Sequence, residues 1–446
     1  MTHRKATRLP EHRGPAAWAE ILGAGPTFPP VATDRTADVV IIGAGFAGLS
    51  AARRLSQIDP ALDVVVLDAG QIAEGAAGRN SGFMIDIPHD LTSDDYKGAG
   101  DDRRLIGLNR QAQSFGAQAV KDYGISPDFF DRAGKINGAA STKANACNLA
   151  LSRHLSDLGE PYELLDADQM AERTGTRYYH SGLFTPGTVM LQPAGYVRGL
   201  AQGLSRAGVA IHERSPALRF ERTGQRWTVT TPGGRISTAR IILTANGHLA
   251  SFGFARDRLM QLFLFAVMTP ELTIDQLGQL GGQSRWGVTP SDPMGTTVRR
   301  IDTAQGGNRI VTRTCAVLRP DMAAKPRDLT RAARIMQAKF DARFIGLTGM
   351  KMEYSWAGHL CFSLNGVSVA REIEQGVFSG CVQNGLGTAR GTLTGIAAAE
   401  TAMGETSEIT EFFGEQQAPK TLPPQPFRQI GANVLLRLKE WRARLE

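Results

Sequence analysis

Three glycines at fixed spacing carry the clearest chemistry in this chain. Gly43, Gly45 and Gly48 follow an apolar, strand-like run and open a stretch with helical spacing, together spanning residues 38–58. In that setting the glycines permit a tight turn, a close approach of backbone to a pyrophosphate, and close packing of helix on strand. The amides and the dipole at the helix N-terminus stabilise the anion. A dinucleotide site is therefore predicted here.

An acidic residue and a second small-residue loop extend this site. Asp68 lies twenty residues beyond Gly48, at the end of a second apolar run, where its carboxylate can accept hydrogen bonds from ribose hydroxyls. The loop 75–82 is rich in glycine and alanine and carries polar side chains at 79–81. Such a loop can run flat against a planar ligand, whereas an NAD fold would resume its βα alternation. The first motif alone does not separate NAD from FAD, and this loop favours FAD.

Two later loops belong to the same pattern. Residues 244–247 end a buried strand, which is where a dinucleotide lies in such a sheet. Residues 384–388 precede an Ala-rich helix from about 392 to 403, so a second helix start presents bare amides. A helix N-terminus aimed at the N1–C2=O edge of reduced flavin would stabilise its negative charge. Each loop in isolation also fits an ordinary turn or a plain helix start.

The elements that position these residues predict an α/β protein. Nucleotide-type signals bracket a middle section that lacks them, so an FAD-binding Rossmann-like domain should hold an inserted α+β substrate domain with an antiparallel sheet. The predicted ranges are an N-terminal arm, 1–36; the FAD-binding domain, 37–90, 170–252 and 353–410; the substrate domain, 91–169 and 253–352; and a C-terminal helical tail, 411–446. Residues 91–170 show mainly helical spacing.

Charge, cysteine spacing and the N-terminal composition indicate which partners, metals and location to expect. The 446 residues carry a formal charge of +7, but the basic residues are scattered, which argues against nucleic acid. The four cysteines form no C-x-x-C pair and no His cluster has zinc-ligand spacing, so no metal is expected. The first 30 residues are polar and Pro-rich, without the apolar core of a signal peptide, and the cytoplasm is the expected location.

Taken together, these motifs resemble the FAD-dependent amine and amino-acid oxidoreductases of the D-amino-acid oxidase superfamily, which includes glycine oxidase and sarcosine oxidase. The similarity covers nearly the whole chain and is greatest to the gamma-glutamylputrescine oxidoreductase-like branch. It is carried by residues 43–48, 75–82, 192–193, 244–248, 356–358 and 384–387, and by Leu422, Pro423 and Trp441 near the C-terminus. The resemblance implies a glutathione-reductase-like FAD domain, with backbone at 215–217 against the adenine.

The motifs and the resemblance together give a set of FAD-binding candidates. They are Gly43, Gly45, Phe46, Ala47, Gly48, Asp68, Ala69, Gly78, Arg79, Asn80, Ser81, Gly82, Ala217, Thr244, Ala245, Asn246, Gly247, Trp356, Gly358, Asn384, Gly385, Leu386, Gly387 and Thr388. Two positions depart from the family pattern, since Leu386 replaces a frequent His and Val382 a frequent Gly. No cysteine lies beside Trp356 to tether the flavin, and Cys361 comes a few residues too late. Non-covalent FAD is expected.

The resemblance also implies a reaction. Hydride would pass from a carbon bearing an amine to flavin N5, giving an imine that water hydrolyses, without a dedicated general base. The substrate-side candidates are His359, Tyr354, Arg299 and Arg300, of which His359 should lie nearest the isoalloxazine. An Arg would pair with a carboxylate or sulfonate, although a packing role is the alternative for each of the four. The electron acceptor is oxygen, or a quinone or protein.

Other functions also fit these motifs. The alternatives are an NAD-linked dehydrogenase, a non-catalytic flavoprotein, the FAD-carrying subunit of a multi-subunit amine dehydrogenase, and an RNA-modifying relative. In the tail, Ile430, Val434, Leu438 and Trp441 share one helical face with basic residues around it. That helix either lies on a membrane surface or docks on its own domain.

Overall fold

The computed structural model describes residues 3–88, 102–292 and 294–446. The helices are α1 Ala17–Glu20, α2 Phe46–Ile58, α3 Asp102–Tyr123, α4 Thr142–Leu158, α5 Ala167–Thr174, α6 Pro193–Arg206, α7 Ile274–Leu280, α8 Pro326–Arg343, α9 Ala389–Met403, α10 Glu408–Gly414 and α11 Phe427–Arg442. The strands are β1 His3–Lys5, β2 Arg35–Ile42, β3 Val64–Leu67, β4 Phe83–Met84, β5 Phe130–Asp131, β6 Lys135–Ala139, β7 Glu163–Leu165, β8 Ser181–Thr185, β9 Val189–Leu191, β10 Ala210–His212, β11 Arg219–Thr223, β12 Arg226–Thr231, β13 Gly234–Leu243, β14 Leu259–Met268, β15 Trp286–Pro290, β16 Thr297–Ile301, β17 Arg309–Leu318, β18 Tyr354–Ser363, β19 Val369–Glu374 and β20 Val377–Cys381.

A nine-stranded sheet forms the nucleotide half of the molecule. Its main path runs β1-β11-β12-β13-β2-β3-β10, and β20 joins β13 and β19 beside it. Strands β2, β3, β10, β13 and β20 are mutually parallel where they pair. Strand β3 consists of apolar residues only and is buried throughout. This is expected, because both faces of a parallel sheet are covered. The predicted strand–helix–strand unit, β2-α2-β3, is confirmed.

Helix α9 packs against α2 at close range because glycines face it. A Cβ added at Gly395 would lie 2.1 Å from the carbonyl oxygen of Ala47, and one at Gly391 would lie 3.2 Å from Cβ of Phe46. The Ala-rich sequence of α9 keeps its buried faces small, so its backbone approaches α2 directly. This packing fixes the starts of the two helices relative to each other.

An eight-stranded sheet forms the other half. Its order is β18-β14-β17-β16-β15-β6-β8-β7, antiparallel except for the parallel pair β15 and β6. Strands β8 and β18, which lie in ranges predicted for the FAD-binding domain, pair within this sheet. The domain boundaries stay a prediction, and the one at 90/91 lies outside the described residues.

The stretch predicted as mainly helical, 91–170, is more mixed where it is described. It contains α3, α4 and α5, but also the strands β5, β6 and β7. The sequence of β6, Lys-Ile-Asn-Gly-Ala, has no alternating apolar pattern. It becomes a strand because it pairs on both sides, with β15 and with β8. Residues 91–101 lie outside the described residues.

The segment before β2 lies against both halves of the molecule. Strand β1 pairs with β11, and the backbone N–H of Ala357 in β18 donates to the carbonyl of Arg13 at 2.9 Å. Trp18 in α1 is fully buried, and its Nε1 donates to the carbonyl of Asn80 at 2.8 Å. This segment is therefore packed structure rather than a loosely attached extension.

Helix α11 docks through its polar side. Asn433 Oδ1 accepts from the backbone N–H of Leu318 at 2.9 Å, and Glu440 Oε1 accepts from the backbone N–H of Ala316, also at 2.9 Å. Both hydrogen bonds join α11 to β17. The apolar residues predicted to share one face point outward instead. Their exposed fractions are 61% for Ile430, 63% for Val434, 41% for Leu438 and 61% for Trp441. Contact of this face with a membrane surface stays a prediction. No described helix has the length and apolar composition needed to span a bilayer.

Candidate active site

A cavity of about 630 Å³ lies between the two sheets and reaches the first βα turn. Most of the predicted FAD-binding residues line it, although they come from seven separate parts of the chain. They are Gly43, Gly45, Phe46, Ala47, Asp68, Ala69, Arg79, Asn80, Ser81, Gly82, Ala217, Thr244, Ala245, Asn246, Gly358, Gly385, Leu386, Gly387 and Thr388. The motifs thus converge on one space.

The other five predicted residues stand behind that lining. A Cβ at Gly48 would lie 1.8 Å from the carbonyl oxygen of Gly43, one at Gly78 would collide with Ala73 and one at Gly247 with Gln261. These glycines therefore serve close packing. Trp356 is buried. The side chain of Asn384 hydrogen-bonds to the neighbouring backbone, where its Oδ1 accepts from the N–H of Ser363 at 2.8 Å.

The first βα turn has the shape that a phosphate requires. Gly43 adopts φ 110°, which a side chain would strain, and a Cβ there would lie 2.9 Å from the carbonyl oxygen of Thr244. Gly45 is the N-cap of α2 and supplies no side-chain cap, so the first-turn amides keep their donor capacity. The nearest protein atom to a Cβ at Gly45 is Cβ of Ala77, 3.6 Å away. The space above this helix start is therefore open.

Asp68 holds the turn as well as lining the cavity. Its Oδ2 accepts from the N–H of Ala44 and its Oδ1 from that of Gly70, each at 2.9 Å. Burial raises the pKa of this carboxyl, and these two hydrogen bonds oppose the increase. Each oxygen keeps a second lone pair, so the carboxylate can still accept from ribose hydroxyls.

The loop 75–82 is braced from three sides. The guanidinium of buried Arg79 donates to backbone carbonyls, including those of Glu74 at 2.6 Å and Gly14 at 2.9 Å. Burial lowers the pKa of Arg79 to about 10. The indole N–H of Trp356 donates to the carbonyl of Arg79 at 3.0 Å. The indole N–H of Trp18 donates to the next carbonyl along the chain, that of Asn80. Two indoles and a guanidinium thus hold this loop flat against the cavity.

A second helix start faces the same cavity. Helix α9 begins after Gly385-Leu386-Gly387, and its N-cap Thr388 makes no side-chain cap because its Oγ1 donates to the carbonyl of Phe83 at 2.7 Å. Just before this loop, Val382 adopts φ 66°, a strained conformation for a β-branched residue, at the position where the family often has Gly. The loop is therefore held by packing rather than by backbone preference.

These features fit FAD. Two uncapped helix starts, a carboxylate at the ribose position, a flat braced loop and the adenine-side residue Ala217 line one continuous cavity. A dinucleotide with a planar ring at its far end matches that arrangement. The assignment of individual residues to FAD stays a prediction.

Of the four substrate-side candidates, only His359 lines the cavity. Arg299 is buried and donates to the carbonyl of Ser81 at 3.2 Å and to Oε1 of Gln305 at 3.1 Å. Arg300 donates to the carbonyl of Gly281, and Tyr354 lies against Arg309. The structure places these three outside the cavity lining, where they pack and hydrogen-bond within the protein.

His359 occupies a buried aromatic setting. Its ring stacks on Phe263 at 4.9 Å, and the ring of His248 lies edge-on at 5.4 Å. Its Nε2 is 2.8 Å from Oε1 of Gln261, whose amide nitrogen already donates to the carbonyl of Gly247, so His359 carries its proton on Nε2. Burial lowers the pKa of His359 to about 3 and that of His248 to about 4. Both imidazoles are neutral near pH 7.

Several residues that line the cavity were not predicted. Residues 8–12 of the N-terminal segment lie along it, as do Leu435 and Lys439 of α11. On the second sheet, Lys135, Asn137, Thr289 and Arg313 face it. No sequence motif marks these residues, since each is brought there by tertiary packing. Among the described residues, no group of three His, Cys, Asp or Glu is placed to hold a metal ion.

A Rossmann-like sheet with an uncapped first βα turn, and a second, largely antiparallel sheet across the same cavity, are typical of flavin-dependent oxidoreductases. The family model described as DAO, FAD dependent oxidoreductase, matches residues 38–401. The chain belongs to this family of FAD-dependent oxidoreductases.

Individual relatives and a solved structure are similar to this chain at 25% identity or less. The chain is 25% identical over 393 residues to the probable oxidoreductase OrdL of Rhizobium meliloti, covering 86% of this chain and 87% of the relative. It is 23% identical over 408 residues to the gamma-glutamylputrescine oxidoreductase of Escherichia coli, with 89% and 91% covered. Glycine oxidase from Geobacillus kaustophilus shares the fold with a TM-score of 0.67 at 17% identity, over 83% of this chain and 96% of that one.

Proposed function

We propose that this protein oxidises the C–N bond of an amine or amino acid, with FAD bound non-covalently as the hydride acceptor. The observation that carries the proposal is the continuity of the cavity from the dinucleotide turn to the face of the second sheet. When bound, FAD supplies hydride acceptance at N5, and the resulting imine hydrolyses in water. A substrate held on the second sheet would then meet the ring across the same space.

The chain's own contribution is orientation, charge and exclusion of water. The start of α9 would present backbone amides to the edge of the bound flavin on which negative charge develops on reduction. Leu262 and Leu264 of β14 and Leu360 of β18 line the cavity with apolar surface. His359, neutral through burial, adds a ring without adding charge. No side chain is assigned as a general base, because oxidation of a neutral amine by hydride transfer does not require one.

Cys361 lines the cavity, but burial raises the pKa of its thiol well above the usual range, which disfavours the thiolate needed for a flavin tether. Reoxidation would use oxygen, or a quinone or protein acceptor.

An anaerobic reduction experiment tests the proposal. The purified, yellow protein is mixed without oxygen with a panel of amines and amino acids, and the flavin absorbance is followed. We expect at least one compound to bleach the flavin within seconds and to yield the corresponding aldehyde or oxo acid. Bound flavin that no member of a broad panel reduces would instead favour a non-catalytic flavoprotein or an FAD-carrying subunit.

A further inference from the structure

Exposed apolar side chains are concentrated on the outward side of α11. Of the thirteen large apolar side chains that are exposed among the described residues, seven lie within 427–445. Five of these seven recur at intervals of three or four residues, which places them on one side of the helix. We call these five residues, Phe427, Ile430, Val434, Leu438 and Trp441, the outer face of α11.

Helix α11 is held by its opposite side, which is polar. Asn433 Nδ2 donates to the carbonyl of Leu318 at 3.2 Å, in addition to the hydrogen bond that its Oδ1 accepts from the same residue. Glu440 Oε2 accepts from the guanidinium of Arg331 in α8 at 2.6 Å. Turning the helix to bury its outer face would break these bonds, so the outer face stays exposed in the folded chain. Scattered apolar residues are ordinary on a protein surface, but a continuous stripe along one helix marks an interaction surface.

Basic residues border the outer face on both sides. The helical repeat places Arg437 beside one edge of this face, and Arg428 and Arg442 beside the other. The only acid in the sequence of α11, Glu440, lies on the docked side, where its side chain is 11% exposed. Residues 420–446 contain six Lys and Arg but only two Glu, so this part of the chain carries +4 of the total charge of +7. The surroundings of the outer face therefore favour an anionic partner.

Aromatic side chains mark the two ends of the outer face. Phe427 is the first residue of α11, and Trp441 lies next to its last residue. The guanidinium of Arg444 lies 4.7 Å from the centre of the Trp441 ring. An indole beside a guanidinium suits the boundary between lipid headgroups and acyl chains, because its body is apolar and its edge is polar.

The shape and charge of this surface distinguish between the possible partners. Two copies of α11 that faced each other would bring their arginine borders together, and this repulsion disfavours self-association. A single helix that projects outward offers a protein partner a ridge rather than a pocket. A bilayer accepts such a ridge, because the apolar side chains enter the acyl region while Lys and Arg remain among the anionic headgroups.

We infer that the outer face of α11 binds the surface of a bilayer that contains anionic lipid, with the helix lying parallel to the membrane plane. The inference goes beyond the proposed function and does not depend on it. Leu435, which is exposed beside the outer face, also lines the cavity. A bound bilayer would therefore lie next to the cavity.

Vesicle sedimentation tests the apolar part of the inference. The holoenzyme is mixed at low salt with vesicles of phosphatidylcholine alone, or of equal amounts of phosphatidylcholine and phosphatidylglycerol. We expect binding to the mixed vesicles that weakens at least tenfold in the double variant Ile430→Ser, Trp441→Ser. The matched control is Ile274→Ser, Ile345→Ser, because these side chains are still more exposed, at 87% and 82%, and lie outside α11. The control should bind like the wild-type protein.

The charged part is tested with the same vesicles. The double variant Arg442→Gln, Arg444→Gln removes two exposed cations and leaves the outer face intact. We expect it to bind the mixed vesicles at least tenfold more weakly than the wild-type protein does. Wild-type binding should be weaker on phosphatidylcholine alone and should fall as salt is added.

Tryptophan fluorescence reports the contact directly. Trp441 is 61% exposed, whereas the other four tryptophans of the chain are buried. We expect mixed vesicles to shift the emission to shorter wavelength and to protect it from quenching by acrylamide. Neither change should occur in Trp441→Phe, which keeps the four buried indoles.

Three results would overturn the inference. The first is a wild-type protein that does not bind the mixed vesicles at low salt. The second is vesicle binding that is unchanged in both double variants while circular dichroism and flavin content show that they are folded. The third is a wild-type dimer, detected by light scattering, that Ile430→Ser, Trp441→Ser converts to a monomer, since the outer face would then join two copies of the chain. Reduction of the flavin by amines is measured separately, so its failure would leave the vesicle results intact.

Discussion

The first βα turn and the donor cluster, which is formed by the mutually hydrogen-bonded side chains of Lys135, Asn137 and Thr289 on the second sheet, line the same cavity but are built in different ways. The turn is made of backbone from neighbouring residues, Gly43 to Gly48, and its geometry depends on the absence of side chains. The donor cluster is made of side chains from β6 and β15, which are about 150 residues apart in the chain (Lys135 and Thr289). A local motif therefore fixes the predicted position of the cofactor, while long-range strand pairing fixes what faces it.

The sharpest test of the turn is Gly45→Val. Because only Cβ of Ala77 lies within 4 Å of a Cβ at this position, the protein itself has room for a side chain, and the branched group would occupy the space of the pyrophosphate. We expect complete loss of bound flavin with the fold retained, measured as flavin absorbance per polypeptide and by circular dichroism.

Two further glycines sharpen this result. Gly48→Val should unfold the protein, because its Cβ would meet backbone at 1.8 Å, whereas Gly107→Val on α3 has nothing within 4 Å and should keep its flavin. A Gly45→Val protein isolated with full flavin content would contradict the assignment of this turn to the pyrophosphate.

The braced loop lies between the two regions, and its indoles give the next largest effect. Trp18→Phe and Trp356→Phe each remove one N–H bond to a loop carbonyl, which is half-buried at Asn80 and buried at Arg79. We expect each variant to lose about 1–3 kcal/mol of unfolding free energy and to bind FAD more weakly. Trp441→Phe is the matched control, because that side chain is exposed and should cost less than about 0.5 kcal/mol. Equal losses in all three variants would mean that bracing is not the cause.

The smallest predicted effect concerns pH and the second sheet. The folded pKa of His359, about 3, is below the ordinary value of 6.5, so the unfolded chain binds a proton as pH falls below 6.5 and the folded chain does not. The stability that this residue contributes is therefore present above pH 6.5 and is lost as pH falls toward 3. At pH 5 the loss is at most about 2 kcal/mol.

Denaturant unfolding at pH 7 and pH 5 measures this loss. His359→Gln should lose less stability between the two values than the wild-type protein, while His180→Gln, on the surface, should behave like the wild type. Identical pH dependence in all three proteins would show that His359 is not held neutral by burial.

The same contrast explains how far the sequence could predict the structure. The fold class, the βαβ unit and the convergence of four glycine-rich loops follow from motifs whose residues are close in the chain. Arg299 and Arg300 were expected near a substrate because of their charge, yet their guanidinium groups donate to backbone carbonyls of the protein itself. Charge alone does not say which face of a strand a residue occupies.

The donor cluster could not be predicted for the complementary reason. Lys135 lies in a five-residue strand with a glycine and an asparagine, which has little intrinsic β propensity. It reaches the cavity only because β15 and β8 pair on either side of β6. Residues 8–12 reach it through the pairing of β1 with β11 and through the contact of Arg13 with β18. None of these pairings leaves a signal in the local sequence.

The contact between Arg13 and Ala357 also has a consequence for biosynthesis. Residues 3–20 leave the ribosome long before β11, and longer still before β18, so their partners do not yet exist when they emerge. One wall of the cofactor pocket must therefore wait until translation has passed residue 357. By then the residues of the first βα turn have long been translated, whereas the start of α9, which faces the same cavity, follows only at residue 389.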